Sequence, residues 1–81
     1  MPTLFRFGSY RVAIYPNDHR PPHVHVIGNG HEAVFELLCP DGPVDLRENY
    51  DFSRSELAAI VKALNESLKI LCAAWERLHG F

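Results

Sequence analysis

The 81-residue chain has no hydrophobic stretch long enough to span a membrane. Its longest apolar run, Ile70 to Trp75, has six residues, whereas a bilayer-spanning helix needs about 20. The start of the sequence also lacks the charged region and apolar stretch that mark a secretory signal. We therefore expect one soluble, cytoplasmic domain that covers residues 1–81 and does not contact a membrane.

A basic excess is also missing, because 8 lysines and arginines face 10 aspartates and glutamates, for a formal net charge of -2. Surfaces that bind nucleic acid without sequence preference usually carry a strong positive charge. The composition therefore argues against such a surface. It leaves room for a local basic strip.

Cysteine is scarce. The two cysteines, Cys39 and Cys72, are far apart and fit neither a metal-binding nor a redox spacing. We expect both to be reduced packing residues, as is usual for a protein of the cytosol.

Turn residues predict two β-hairpins. Gly8-Ser9 separates the strand-like segments Thr3 to Phe7 and Tyr10 to Tyr15, and Gly-x is typical of a type II′ turn. Asn29-Gly30 is a stronger signal, because both central residues of a type I′ turn need a positive φ. Counting outward from this second turn places His23 opposite Glu36.

The same register separates core residues from polar ones. One face of the second hairpin is apolar, and it consists of Val24, Val26, Ala33 and Phe35. The other face carries most of the polar side chains, namely His23, His25, Glu32 and Glu36. A shift of one residue would mix the two sets, so the pattern supports the register.

A helix is predicted to begin at about Arg54. Ser53 and Glu56 form a capping box before it, and apolar residues then recur at three-and-four spacing as far as Gly80. The predicted fold is α+β, with two β-hairpins forming a small antiparallel sheet packed against a long C-terminal α-helix. Two shorter helices, broken near Asn65–Ser67, are the alternative, and Val44–Arg47 is a possible short strand.

A helix of roughly 25 residues would be longer than the sheet, since helices rise about 1.5 Å per residue. Apolar residues beyond the sheet edge, such as Leu71, Trp75 and Leu78, would then need cover from another molecule. We therefore expect a homodimer or another bound protein.

The candidate catalytic residues are His23, His25 and Glu36. The two histidines project from one face of a strand, and Glu36 lies across from His23. A histidine held by a carboxylate can act as a general acid or base in phosphodiester cleavage. The candidate phosphate-binding residues are three arginines, Arg6, Arg11 and Arg20.

Three other interpretations of these residues stay open. His23 and Glu36 can form an ordinary cross-strand pair on a solvated face. The histidines and a carboxylate can ligate zinc, nickel or non-haem iron, although our first choice requires no metal or other cofactor. The histidine strand can also form an edge that holds a partner protein.

The sequence resembles domain of unknown function family 4160, a family of small bacterial proteins. The resemblance rests on Met1-Pro2-Thr3 with Arg6 and Phe7, on the Pro21–Val26 string PPHVHV, and on a helix ending near Trp75. It implies a stand-alone bacterial protein, often encoded beside a second small domain. That arrangement looks like a toxin-antitoxin pair in which this family is the proposed toxin.

The prediction that combines these points is a toxin-like component of a two-gene module. It would act on RNA through His23, His25 and Glu36, and it would bind a cognate small protein. A non-enzymatic binding module and a metal-binding domain are the alternatives.

Overall fold

The computed structural model describes residues 3–80, which form a five-stranded antiparallel sheet and two helices. The strands are β1 (Thr3–Phe7), β2 (Tyr10–Ile14), β3 (His23–Gly28), β4 (His31–Glu36) and β5 (Asp45–Tyr50). They lie in the order β1-β2-β3-β4-β5. The α+β class is confirmed, with one strand more than the two predicted hairpins supply.

Both predicted hairpins have the expected register. Phe7 pairs with Tyr10 across the first turn, and His23 pairs with Glu36 in the second hairpin. Asn29 and Gly30 have φ values of 54° and 78°, as a type I′ turn requires. The local turn chemistry was therefore enough to fix these two pairings.

The possible short strand at Val44–Arg47 is in fact β5, which begins at Asp45 and pairs with β4. A β-bulge interrupts this pairing, because Val34 is opposite Glu48 whereas Phe35 is opposite Leu46. Arg47 is the extra residue of the bulge. The strand is longer than its weak alternation suggested.

The predicted long helix is wrong in detail, and the alternative of two shorter helices is confirmed, since two helices follow β5. Helix α1 spans Arg54–Glu66 and has the predicted capping box at Ser53, while α2 spans Leu68–His79. Ser67 separates them with φ -107° and ψ 13°, away from helical values. Within residues 3–80, neither helix is long and apolar enough to cross a membrane.

The break at Ser67 also removes the predicted overhang. Leu71 and Trp75 are each 1% exposed, and Leu78 is half-buried against the same core. The helices therefore fold over one face of the sheet, which we call the inner face. These residues therefore need no cover from a second molecule, and the argument for a homodimer that depended on them was wrong.

The core lies between the helices and the inner face. Its main strand residues are Val12 and Ile14 of β2, together with the apolar face predicted for the second hairpin, namely Val24, Val26, Ala33 and Phe35. Helix residues complete it, among them Ile60, Leu64, Leu68, Leu71 and Trp75. Trp75 is thus a core residue.

The prediction for the cysteines was wrong, because Cys39 and Cys72 form a disulfide with a Cα–Cα distance of 5.9 Å. The bond joins the β4–β5 connection to α2 across 33 residues of sequence. The spacing of the cysteines in the sequence did not predict this bond. Cys72 comes close to Cys39 only because the chain changes direction at Ser67, before α2. The cysteines therefore give no support to a cytoplasmic location.

Candidate functional site

The site forms on the other side of the sheet, the outer face, where the loop between β2 and β3 folds back over β3. The backbone N–H of Asp18 donates to the carbonyl of Tyr15 at 3.1 Å, which closes a tight turn after β2. Arg20 and Pro21 then form a bend that contains a cis peptide bond, and Pro22 leads directly into β3. Asp18 thereby comes to lie beside the first residues of β3.

Asp18 contacts both histidines of β3 through a single oxygen atom. Its Oδ2 lies 3.2 Å from Nε2 of His23 and 3.2 Å from Nε2 of His25. One ligand-type atom from each of the three residues lies within 4.8 Å of the other two. Two imidazole nitrogens and one carboxylate oxygen therefore converge on a common point.

The remaining ring nitrogens are held by acceptors. Nδ1 of His23 donates to the carbonyl of Pro21 at 2.8 Å, and Nδ1 of His25 donates to Oε2 of Glu32 at 3.1 Å. A carbonyl and a carboxylate can only accept, so each Nδ1 carries the proton. In the neutral rings, both Nε2 atoms then present lone pairs to the negatively charged Asp18.

Such an arrangement favours a positive charge at the convergence point, which either a metal ion or a proton on an Nε2 atom would supply. Two ligand atoms bound to one zinc-type ion at about 2.1 Å lie about 3.0–3.4 Å apart at common coordination angles. The 3.2 Å distances from Asp18 to His23 and His25 fall in that range. Histidines that ligate metals commonly donate their other N–H to a carbonyl or carboxylate, as both do here.

The histidine rings are packed on several sides. His23 is 7% exposed, and its ring centroid lies 5.3 Å from that of Trp75. The ring of His25 meets that of Tyr15 edge-on at 4.8 Å. These contacts restrict ring rotation and keep both Nε2 atoms directed at Asp18.

The outer face is also covered here rather than open. Ala13 and Val34 flank His25 in the sheet and point away from the helices, yet they are only 1% and 6% exposed. The interpretation of His23 as a member of a solvated cross-strand pair is therefore wrong. A cleft of about 260 Å³ opens beside the histidines, lined by residues 17–20 and by Arg47 and Glu48 of β5.

Of the predicted catalytic residues, the structure brings together His23 and His25 but not Glu36. Glu36 is the Cα partner of His23, yet within residues 3–80 its side chain forms no hydrogen bond or ion pair. Glu32 contacts His25 instead, from a diagonal position two residues away from Val34, the Cα partner of His25. Diagonal neighbours lie within reach of long side chains.

Asp18 was missed as a site residue. It precedes His25 by seven positions, and nothing in the sequence gives the distance between a loop residue and a strand residue. The available signal was the pair Pro21-Pro22, which restricts the backbone of the short connection between Asp18 and β3.

The predicted phosphate-binding arginines are not together. Arg6 and Arg11 are exposed Cα partners on β1 and β2, and neither lines the cleft. Arg20 does line it, as does the exposed His19. Arg47 is the second arginine there, and no sequence signal had placed it near the histidines.

A comparison with protein-family models matches residues 9–76 to the family described as Domain of unknown function (DUF4160). The chain belongs to this family. The match confirms the family that the sequence had suggested, and it includes Asp18, His23, His25 and Glu32. Met1 and Pro2, which contributed to the resemblance, lie outside both the match and the described residues.

Other comparisons add no relative of this DUF4160 domain. No curated protein and no solved structure was found to match it. The family description names no activity, so the functional conclusion depends on the geometry of the site.

Proposed function

We propose that this DUF4160 domain binds one divalent transition-metal ion through Asp18 Oδ2, His23 Nε2 and His25 Nε2. One observation carries the proposal: both Nδ1 atoms are engaged by acceptors while both Nε2 atoms face the same carboxylate oxygen. Two imidazoles and a carboxylate are a common ligand set for zinc and for non-haem iron.

Three protein ligands suit a reactive centre better than a structural one. Structural zinc sites normally use four protein ligands, whereas catalytic sites use three and leave a position for water or substrate. The cleft beside Asp18, His23 and His25 gives that position access to solvent. A bound metal of this type would lower the pKa of a water molecule to about 7, which supplies hydroxide at neutral pH.

The reaction that we propose is hydrolysis of a phosphodiester bond in RNA. Arg20 lines the cleft and supplies a positive charge for the phosphate. The oxygen of the water forms a bond to phosphorus, and the bond to the leaving oxygen breaks with its electron pair. The proton of the water passes to solvent through the open cleft, and the leaving oxygen takes a proton from solvent.

RNA is the substrate expected of a toxin-like component of a two-gene bacterial module, and that role remains part of the proposal. The metal centre changes the predicted chemistry, because His23 and His25 act as ligands and not as acid-base groups. Glu32 takes the place of Glu36 as the carboxylate that orients a histidine. A cognate small protein remains the proposed partner.

Metal content tests the first part of the proposal. Protein purified without chelators or an affinity tag should contain one ion per chain. Metal added to the chelator-treated protein at about 100 times Kd should raise its Tm by about 10 °C or more. Asp18→Asn and His25→Ala should abolish both effects, whereas His31→Ala, on the neighbouring strand, should not. A wild-type protein that contains no metal and gains no stability from zinc, nickel, iron(II) or manganese would contradict the proposal.

RNA cleavage tests the second part. Metal-loaded protein should cleave single-stranded RNA, the chelator-treated protein should not, and re-addition of metal should restore cleavage. Asp18→Asn should be inactive in every condition. Cleavage that persists in chelator would favour the metal-independent acid-base mechanism, and full metal binding without cleavage would limit the function to metal binding.

A further inference from the structure

The second edge of the sheet, β5, is open and exposed. In the part of the chain that the structure describes, β5 is the last strand of the sheet, and all six of its residues are exposed. Two of them are large and apolar, since Leu46 is 42% and Tyr50 is 54% exposed. A long exposed edge strand is a site at which another strand can add.

The β5 sequence Asp45–Tyr50 has a symmetric distribution of side chains between the two faces. Asp45 and Tyr50 are opposite Glu36 and Glu32, which places them on the outer face at the two ends. Leu46 and Asn49 are opposite Phe35 and Ala33 and lie on the inner side. The bulge places both central residues at the outer cleft, namely Arg47 and Glu48.

The order of outer and inner residues along β5 is the same in both directions. An antiparallel copy of β5 can therefore pair with it so that side chains on the same face are opposite one another. With the two-fold axis between Arg47 and Glu48, every residue meets a residue that belongs to the same face. Asp45 meets the partner's Tyr50, Leu46 meets the partner's Asn49, and Arg47 meets the partner's Glu48. A symmetric interface requires such self-complementarity.

The charges agree with the same register. Arg47 of each copy lies opposite a glutamate of the other, which gives two ion pairs at the centre of the strand pair. The other edge strand, β1, offers no equivalent, because Thr3–Phe7 contains Arg6 and no acidic residue. Two copies paired through β1 would gain no charge complementarity.

We propose that two copies of this chain form a homodimer by antiparallel pairing of β5, with Arg47 opposite the partner's Glu48. The dimer joins two five-stranded sheets into one continuous sheet. It places both Asp18–His23–His25 sites on the same face, with Arg47 of each copy between the two clefts. The proposal does not depend on metal binding.

Charge reversal tests the interface, with sedimentation velocity as the measurement. The wild-type chain should be a dimer that weakens as salt is raised, because exposed ion pairs are screened. Arg47→Glu and Glu48→Arg should each be monomeric, since like charges then meet at both central pairs. An equimolar mixture of these two variants should form a dimer, because every central pair in the mixed dimer is again oppositely charged. The double variant R47E/E48R should also be a dimer.

Lys62→Glu and Glu66→Arg are the matched controls, because both residues are exposed in the second half of α1. They should leave the dimer intact. Arg47→Gln and Glu48→Gln give milder variants if a reversal impairs folding, which circular dichroism would show; they should weaken the dimer without abolishing it. A monomeric wild-type chain, a dimer unaffected by either reversal, or monomers in the equimolar mixture would overturn the proposal.

Discussion

His25 Nδ1 donates to Glu32 Oε2 at 3.1 Å, so the carboxylate that orients a site histidine belongs to Glu32. Glu36 is directly across from His23, and yet its carboxylate forms no hydrogen bond or ion pair with either histidine. The two glutamates lie on the same face of the same strand, β4, and this makes them a matched pair for mutation.

Glu32→Gln should lower the metal affinity of the proposed centre about 10- to 100-fold, because an oriented ligand loses its negatively charged acceptor. Glu36→Gln should leave the affinity unchanged. Calorimetric titration of the chelator-treated variants with zinc gives both affinities. Equal losses in the two variants would mean that only the overall charge of β4 matters, and a loss confined to Glu36→Gln would restore the original prediction.

The capping box of α1 should contribute measurably to stability. The Ser53 hydroxyl accepts from the backbone N–H of Glu56 at 3.2 Å, and the carboxylate of Glu56 accepts from the Ser53 N–H at 2.9 Å. Ser53→Ala should lower the free energy of unfolding by about 1 kcal/mol, as measured by urea denaturation. A change within experimental error would show that the first turn of α1 is held by tertiary packing alone.

The contribution of Glu56 to the stability of this capping box should depend on pH. Hydrogen bonds from the Ser53 backbone, and then from its side chain, lower the pKa of Glu56 below its usual value of 4.5. The folded state therefore favours the ionised form of Glu56. The contribution of Glu56 to stability is present above pH 4.5 and is lost as the pH falls through the lowered pKa. The stability difference between wild type and Glu56→Gln should be constant from neutral pH to about pH 5 and shrink in more acidic buffer. Glu66→Gln, at the other end of α1, should show no such pattern.

The Cys39–Cys72 disulfide should stabilise the fold strongly, because it closes a loop of 33 residues in the unfolded chain. The chain-entropy relation gives roughly 3–4 kcal/mol for a loop of this length. Urea unfolding should show a loss of that order in the double variant C39S/C72S. A reductant should lower the stability of the wild type to that of the double variant and leave the double variant unchanged. Two titratable thiols in the native, unreduced protein would contradict the assignment.

Gly42 should resist substitution more than another glycine of similar conformation. Its φ is +69°, and a Cβ atom there would lie 2.6 Å from Cδ2 of Leu68, a buried residue. Gly80 has a φ of +78° and no atom within 4 Å of such a Cβ. Gly80→Ala should therefore cost about 1 kcal/mol for its backbone conformation, and Gly42→Ala about 1–3 kcal/mol more. Equal losses in urea denaturation would show that Leu68 moves aside freely.

Local signals predicted much of the fold correctly. Asn29-Gly30 and the alternation of Val24 and Val26 with histidines fixed the second hairpin, because turn type and burial pattern agree only in one register. Ser53 and Glu56 located the start of α1, since the capping box is complete within four residues. The end of α1 was less clear, because the apolar spacing continues through Ser67, so a break near Asn65–Ser67 could be given only as the alternative to one long helix.

The candidate site was predicted in part, because two of its residues are close together in the sequence. His23 and His25 lie two residues apart on a strand, so their common face follows from the backbone period. Their carboxylate partners did not follow from it. Glu32 and Glu36 are equivalent in pattern, and the structure alone shows which of them reaches a ring.

The sequence by itself thus determined the two hairpins, the helix start and the family, because each depends on residues close together in the chain. The tertiary structure decided the contact of Asp18 with both histidines, the choice of Glu32, the Cys39–Cys72 bond and the exposure of β5. The Asp18 contacts and the disulfide in particular depend on the path of a loop or helix across the sheet. That path is set by the packing of the whole core and not by neighbouring residues.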